Sequence, residues 1–251
     1  MAYFRHQIII KRMIQMFTRL MAFCLLQILA IQTMSAQQFL PAIERFSGSK
    51  PGYLILKTGE KVEFTLDDLD RKKGLIIRVE GKSLDGKKFK YEADQIQELG
   101  LNPSNYAQLS AFSESTRSIA KMQRNKVHET SRDLVLFYNE RLDDQNREAL
   151  LQLINPGFDS QIRVYDDPFA AETLGVGFAG VQLTGGMDMS YYVKTSGKVI
   201  RLKKKNYDEM FRPLFDSCPA VMAKYGKKFA WRDFCYHVFM LDQECGGISI
   251  K

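Results

Sequence analysis

From Pro51 onward the apolar residues recur at every second position. Tyr53-Leu54-Ile55-Leu56 is followed by the turn Thr58-Gly59-Glu60, and Val62, Phe64 and Leu66 then alternate with charges. Leu75, Ile77 and Val79 alternate with Ile76 and Arg78, and the turn Asp85-Gly86 leads into Phe89, Tyr91 and Ala93. A period of two interrupted by glycine-containing turns predicts antiparallel hairpins. Residues 51–101 are therefore expected to form four or five short strands, as a curled sheet or a small SH3-like barrel. The pattern weakens over 102–132, a polar stretch with Leu109, Phe112, Ile119 and Met122 at loosely helical spacing behind Asn102-Pro103-Ser104. A helix and an irregular connector are both compatible with it.

Strand texture returns at Leu134–Tyr138, with a turn at Asp143–Asn146. Leu150–Ile154 stops at Asn155-Pro156-Gly157, and Ile162, Val164 and Tyr165 run into Asp166-Asp167-Pro168. Residues 170–187 read as a long glycine-rich loop. Ser190–Lys194 and Val199–Leu202 flank Thr195-Ser196-Gly197, a hairpin turn, so the whole stretch 133–205 predicts an antiparallel meander.

After it the period lengthens. Asn206 with Glu209 has capping-box spacing before Met210, Leu214 and Phe215. Ser217 and Pro219 open a second helix through Val221, Met222 and Tyr225 to Gly226. A third places Trp231, Phe234, Cys235, Val238 and Leu241 on one stripe and stops at Gly246-Gly247.

The first 36 residues follow a different logic. Arg5, Lys11, Arg12 and Arg19 precede an apolar run, Leu20–Ile31, that only Gln27 interrupts, and Met34-Ser35-Ala36 follows. Positive, apolar and small-residue regions in that order predict a secretory signal peptide cleaved after Ala36. Twelve apolar residues fall short of the roughly 20 that span a bilayer. An uncleaved N-terminal anchor helix is the competing reading. Cys24 lies inside the run behind Phe23, where a lipobox needs a small residue.

Composition and charge are then read on the remainder. Hydrophobic residues make up 45% and charged residues 26% of the 251, which excludes disordered, collagen-like and multi-span membrane classes. The formal charge of +7 suggests anionic partners. Without residues 1–36, however, 32 basic and 29 acidic residues remain, a net of +3 over 215 residues. Most of the basicity belongs to the targeting segment, so no nucleic-acid partner is expected. Over residues 50–98 the balance is 11 basic to 10 acidic, which describes a mixed solvent face.

Taken in order, Leu150–Phe158 (LLQLINPGF), Ile162–Pro168 (IRVYDDP), Ser190–Lys194 (SYYVK), Val199–Tyr207 (VIRLKKKNY) and Phe215–Pro219 (FDSCP) resemble a group of exported proteins of uncharacterised function from Bacteroidetes-type bacteria. The opening Gly52–Gly59 is similar to them too. The resemblance implies export, a β-rich body and a helical C-terminus. It implies no catalytic residues.

Candidate chemistry is sparse. Gly175-Val-Gly177-Phe-Ala-Gly180 has GxGxxG spacing, but no helix follows it and no βαβ unit surrounds it. It reads as an apolar loop, with a flap or partner contact as its functional version. His128 sits in a polar stretch and lacks a second His at zinc-protease spacing. His237 lies roughly 200° around its helix from Cys235, which disfavours a Cys/His pair. Asp67, Asp68, Asp70, Asp166 and Asp167 lie in turn-like sequence and are explained by turn chemistry. Within Lys198–Lys205, a strand would put Arg201, Lys203 and Lys205 on one face, able to meet a polyanion; a solvated or edge-protecting face is the plainer reading. No catalytic, cofactor-binding or metal-ligating residues are assigned.

Cys218, Cys235 and Cys245 remain after processing. Ten helical residues span roughly 15 Å, which excludes a Cys235–Cys245 bridge. Antiparallel packing of the last two helices would bring Cys218 to Cys245 and leave Cys235 a buried reduced thiol. Three reduced cysteines are the other outcome.

The expectation is an α+β protein: signal peptide 1–36, lead-in 37–50, small antiparallel β module 51–101, connector 102–132, and a β-meander with a C-terminal helical cap over 133–251. It is expected in the periplasm, at the outer membrane or secreted, with no transmembrane span after processing. Its expected role is non-catalytic binding of a protein or an acidic surface polymer. The alternative is a secreted hydrolase whose site no local motif reveals.

Overall fold

The two-residue period becomes five strands: β1 (Gly52–Leu56), β2 (Lys61–Lys72), β3 (Leu75–Ser83), β4 (Lys88–Glu92) and β5 (Ile96–Leu101). The computed structural model that shows them describes residues 39–105, 107, 134–142, 146–170, 177–178, 181–182 and 190–246. The predicted signal peptide, nearly all of the connector and His128 lie outside the described residues. Two of the tight turns use glycine where other residues would be strained, at Gly59 (φ 90°) and Gly86 (φ 92°).

β1 to β5 do not close a sheet by themselves. β5 pairs with β6 (Val135–Leu142), β6 with β7 (Arg147–Gln152), and β7 meets β3 at Ile76↔Leu150. With β1 between β2 and β5, and β2 pairing β3, six antiparallel strands form a closed barrel; β4 extends the outer edge of β3. The strand pairing therefore cuts across the sequence grouping, which placed 133–152 with the later meander. Closure depends on bends in the longest strand pair. Asp67 is the extra residue opposite β3, and Ile77 the extra residue opposite β2. Such bulges bend and twist a ribbon enough to shut a barrel.

The bulge at Ile77 also changes which residues point inward. Ile77 is only half-buried, while Ile76 and Val79 are fully enclosed, so the predicted Leu75–Ile77–Val79 face is corrected. Leu75 turns instead toward a layer outside the barrel. The barrel is filled by Leu54, Leu56, Phe64, Ile76, Val79, Ile96, Leu99, Phe137 and Leu150 with their neighbours.

A second sheet, β12-β11-β8, joins β8 (Arg163–Tyr165), β11 (Ser190–Thr195) and β12 (Lys198–Lys203). Within the glycine-rich stretch, β9 (Gly177–Phe178) pairs antiparallel with β10 (Val181–Gln182); the rest of that motif lies outside the described residues. Leu75, Leu142, Ala149, Leu151, Leu153, Tyr165 and Tyr192 form the layer between the barrel exterior and the second sheet. The other side of this sheet carries α1 (Tyr207–Phe215), α2 (Pro219–Tyr225) and α3 (Phe234–Cys245), with a 3-10 turn at Trp231–Asp233 before α3. The core between them holds Tyr191, Tyr207, Phe211, Phe215, Trp231 and Phe234.

Residues 39–50, the lead-in, form an irregular strap. Leu40 N–H donates to Ile154 O at 2.7 Å, Ser47 N–H to Asn102 O at 2.8 Å, and the Gln152 amide holds Ile43 N–H and Pro41 O at 2.8 and 2.9 Å. The strap thus runs across both parts of the protein. Two expected helix caps also change. Asn206 Oδ1 accepts the Lys203 N–H at 2.7 Å, turning back to the strand instead of closing a capping box with Glu209. The residue before α2 is Cys218, not Ser217, with Pro219 in the first turn.

Candidate functional site

Among the described residues, Asp167 is the most enclosed carboxylate. It sits after β8, in the turn that Asp166-Asp167-Pro168 predicts, and its side chain is 0% exposed. Oδ2 accepts from Ser190 Oγ at 2.5 Å and from Arg201 Nε at 2.6 Å, while Oδ1 accepts the Phe169 N–H at 3.0 Å. The Arg201 guanidinium also lies 5.7 Å from the Phe169 ring and 5.9 Å from the Tyr192 ring. Arg201 is thus the internal counter-ion of a buried carboxylate. Lys203 is half-buried, and Lys205 lies beyond the strand in the 3-10 turn Lys204–Asn206. The expected row Arg201, Lys203 and Lys205 does not form one open basic face. A buried carboxylate without its cation costs several kcal/mol, roughly 3–5, which explains why the arginine turns inward.

Glu140 of β6 reaches from the barrel to the second sheet. Its carboxylate accepts from Tyr165 Oη at 2.6 Å and from Lys194 Nζ at 2.8 and 2.9 Å. Burial, with the adjacent Glu140 charge, pushes the Tyr165 hydroxyl well above its ordinary value. A carboxylate held by an ammonium and a neutral phenol is an electrostatic tie between layers.

His237 lies on the inward side of α3 at 0% exposure, on a stripe with Phe234, Val238, Leu241 and Cys245. The expected stripe placed Cys235 inside; it lies instead at the edge of that core as a partly buried residue, with its thiol turned in against the Phe39 backbone. Burial pushes that thiol far above its usual range, so it is not an activated nucleophile. His237 Nδ1 and Tyr207 Oη are 2.6 Å apart, and Nε2 has no hydrogen-bond partner among the described residues. The imidazole is ringed by Tyr225, Phe211, Phe215 and Tyr207 at centroid distances of 4.6, 5.3, 5.9 and 6.2 Å. This apolar cage lowers its pKa to about 4, against a small opposing pull from Asp233. The result is a neutral histidine walled off from solvent.

Asn155 is another polar group closed into the core. Its Nδ2 donates to Phe158 O at 2.9 Å and Ile162 O at 2.8 Å, while Oδ1 accepts the Val164 N–H at 2.8 Å. The Asn-Pro-Gly signal announced a turn. The amide that staples the turn to β8 becomes visible only when the chain folds back.

A shallow depression of about 310 Å³ lies on the barrel, lined by Asp67, Glu80, Gly81, Lys88, Phe89 and Lys90. Two of its charges pair with each other, Lys90 Nζ lying 2.6 Å from Glu80. Asp67, Asp68 and Asp70 are residues of β2 and not of a turn, so turn chemistry does not account for them. Among the described residues no three His, Cys, Asp or Glu side chains group as metal ligands, and no helix is long and apolar enough to cross a membrane.

Of the two outcomes left open for the cysteines, the structure has the bridge: Cys218 and Cys245 are joined with Cα atoms 5.9 Å apart. It links the start of α2 to the end of α3. Compared with known proteins, the chain matches no family model, no curated protein and no solved structure.

Proposed function

We propose that this chain is an exported binding module of the cell envelope or the extracellular space, without catalysis of its own. The observation that carries the reading is the use made of the buried ionisable groups. Asp167, Glu140 and His237, the side chains best suited to acid–base work by burial, are each closed over by protein partners that serve packing or layer-to-layer attachment. An active site needs such groups to face a substrate. The Cys218–Cys245 bridge supports export, because disulfides persist in oxidising compartments. The signal-like segment 1–36 points the same way.

The test is to express the whole chain in a bacterium with two membranes and recover it from the periplasm and medium. Intact mass is expected to show cleavage between Ala36 and Gln37, and non-reducing peptide mapping a Cys218–Cys245 peptide. A full-length product held in the membrane fraction, or a reduced cytoplasmic one, overturns the reading.

A further inference from the structure

At the far end of the helical cap, two tyrosines and one lysine form a corner. Lys224, in the last turn of α2, places Nζ 5.2 Å from the Tyr225 ring centre and 5.3 Å from that of Tyr236 on α3. It also donates to Tyr236 Oη at 3.4 Å. The two rings stand at 90° with centroids 6.0 Å apart. Both tyrosines are half-buried, while Lys224, Lys227 and Lys228 are exposed. The turn carrying the last two lysines is pinned. Lys228 N–H donates to Tyr225 O at 2.9 Å, and Phe229 stacks on Phe211 at 3.9 Å with only 4° between planes.

Residues 217–232 contain Lys224, Lys227, Lys228 and Arg232 and no Asp or Glu. Basic residues predominate along this stretch, with Asp216 and Asp233 immediately outside it. Arg232 has Asp233 3.8 Å away, whereas no ion pair among the described residues involves Lys224, Lys227 or Lys228. The rest of the sequence is close to charge balance, so three exposed lysines within five residues, one of them over both tyrosine rings, are a local departure from it.

We propose that this corner binds an acidic polysaccharide. The inference rests on the binding-module reading and assigns it a place and a ligand chemistry. A pyranose ring presents an apolar C–H face that stacks on a tyrosine, and its hydroxyls can pair with the two phenols. Its carboxylates meet the lysines, whose ammonium groups act as mobile point charges. A membrane surface fits less well, because the large exposed apolar side chains of the described residues are Leu40, Leu84 and Phe169, all outside the α2–α3 corner. Among the described residues the basic run Lys203–Lys205 has no aromatic partners of this kind, and its neighbour Arg201 already serves Asp167.

The test uses the whole processed chain on immobilised polygalacturonate, with neutral dextran, oligo-dT and anionic phospholipid vesicles as parallel surfaces. At low salt, retention on polygalacturonate and not on dextran is expected. Lys224→Gln/Lys227→Gln/Lys228→Gln is expected to weaken binding by about tenfold or more and to flatten its salt dependence, as loss of screened ion contacts requires. Tyr236→Leu is expected to weaken binding about fivefold with the salt slope kept, an effect at the lower end of aromatic stacking contributions. Unchanged Trp231 fluorescence in each variant shows that the cap is folded. Lys203→Gln/Lys204→Gln/Lys205→Gln is expected to bind as wild type. The proposal is overturned if wild type is not retained, if the first triple variant is retained equally, if the second triple variant is the one that loses binding, or if oligo-dT or vesicles bind more tightly. A chain that is exported and bridged but not retained overturns this site alone. One that is neither exported nor bridged overturns the reading beneath it.

Discussion

The barrel and the C-terminal part solve the same problem by different means. The barrel encloses a core of aliphatic residues with Phe64 and Phe137, and no charged side chain lies within that cluster. Its strands hydrogen-bond around a closed ring, so backbone pairing and aliphatic burial suffice. The C-terminal part has strands of three and six residues and helices of nine, seven and twelve. Helices this short are marginal alone. They are held by aromatic packing, by the Cys218–Cys245 bridge, and by polar groups sealed inside: Asn155, Asp167 and His237. The difference teaches where each part is vulnerable. The barrel should respond to changes of shape, and the cap to redox state and pH.

Removing the bridge is the strongest way to sharpen that contrast. The cysteines are 27 residues apart, and closing a loop of that size contributes about 3.5 kcal/mol in the chain-entropy account. Cys218→Ser/Cys245→Ser is expected to cost about that much and to expose the amides of α2 and α3 to hydrogen exchange. The barrel amides should keep their protection. Equal loss of protection in both parts would show that they unfold as one unit.

Acid comes next. The folded state holds His237 at a pKa of about 4, below its ordinary value near 6.5. The unfolded chain therefore takes up the proton first as pH falls. The stabilisation is complete above about pH 6.5 and is lost progressively between there and about pH 4, by roughly 3 kcal/mol in all. Trp231 is the single tryptophan and its ring lies 5.3 Å from Tyr207, the partner of His237, so its fluorescence reports on this site. His237→Phe is expected to flatten the denaturation midpoint over this pH range. An equally steep fall in that variant would place the acid sensitivity elsewhere.

The smallest expected effect belongs to the barrel. A methyl group added at Gly81 would sit 2.6 Å from Phe64 Cδ2, 2.8 Å from Thr65 O and 2.9 Å from Phe89 Cζ. The Thr65 carbonyl is backbone and cannot move aside without disturbing the β2–β3 ribbon. Gly81→Ala is expected to destabilise the protein by about 1–3 kcal/mol through overpacking. The denaturation midpoint should fall without any new pH dependence, and a neutral result would mean that the bulged ribbon can relax.

Much of this architecture was legible beforehand. The first four strands, the hairpin at Ser196-Gly197 and the three helical segments appear close to where periodicity and turn residues put them, while β5 and the Asp67–Lys72 half of β2 had no such signal. The antiparallel reading of the last helices led correctly to Cys218 and Cys245 as one of two outcomes. Other features were read differently from what folding produced. Ile76 replaces Ile77 inside the barrel because a bulge breaks the two-residue period, and no local signal marks a bulge. Arg201 appeared as part of an exposed basic row because its partner, Asp167, is 34 residues away. His237 appeared to be off the apolar stripe because its place was judged from Cys235, whereas it lies within the single stripe of Phe234, Val238, Leu241 and Cys245.

What the sequence determined by itself is whatever neighbours two to four residues apart can enforce: alternation, glycine turns, helix spans and their ends. What only the tertiary structure decided is the closure of the barrel by β6 and β7, the internal use of Arg201, Glu140 and Asn155, and the sealing of His237. Each of these depends on residues from distant parts of the chain meeting in a low-dielectric interior. There an unpaired polar group is costly enough to dictate its partner, and that cost does not exist until the chain has folded around it.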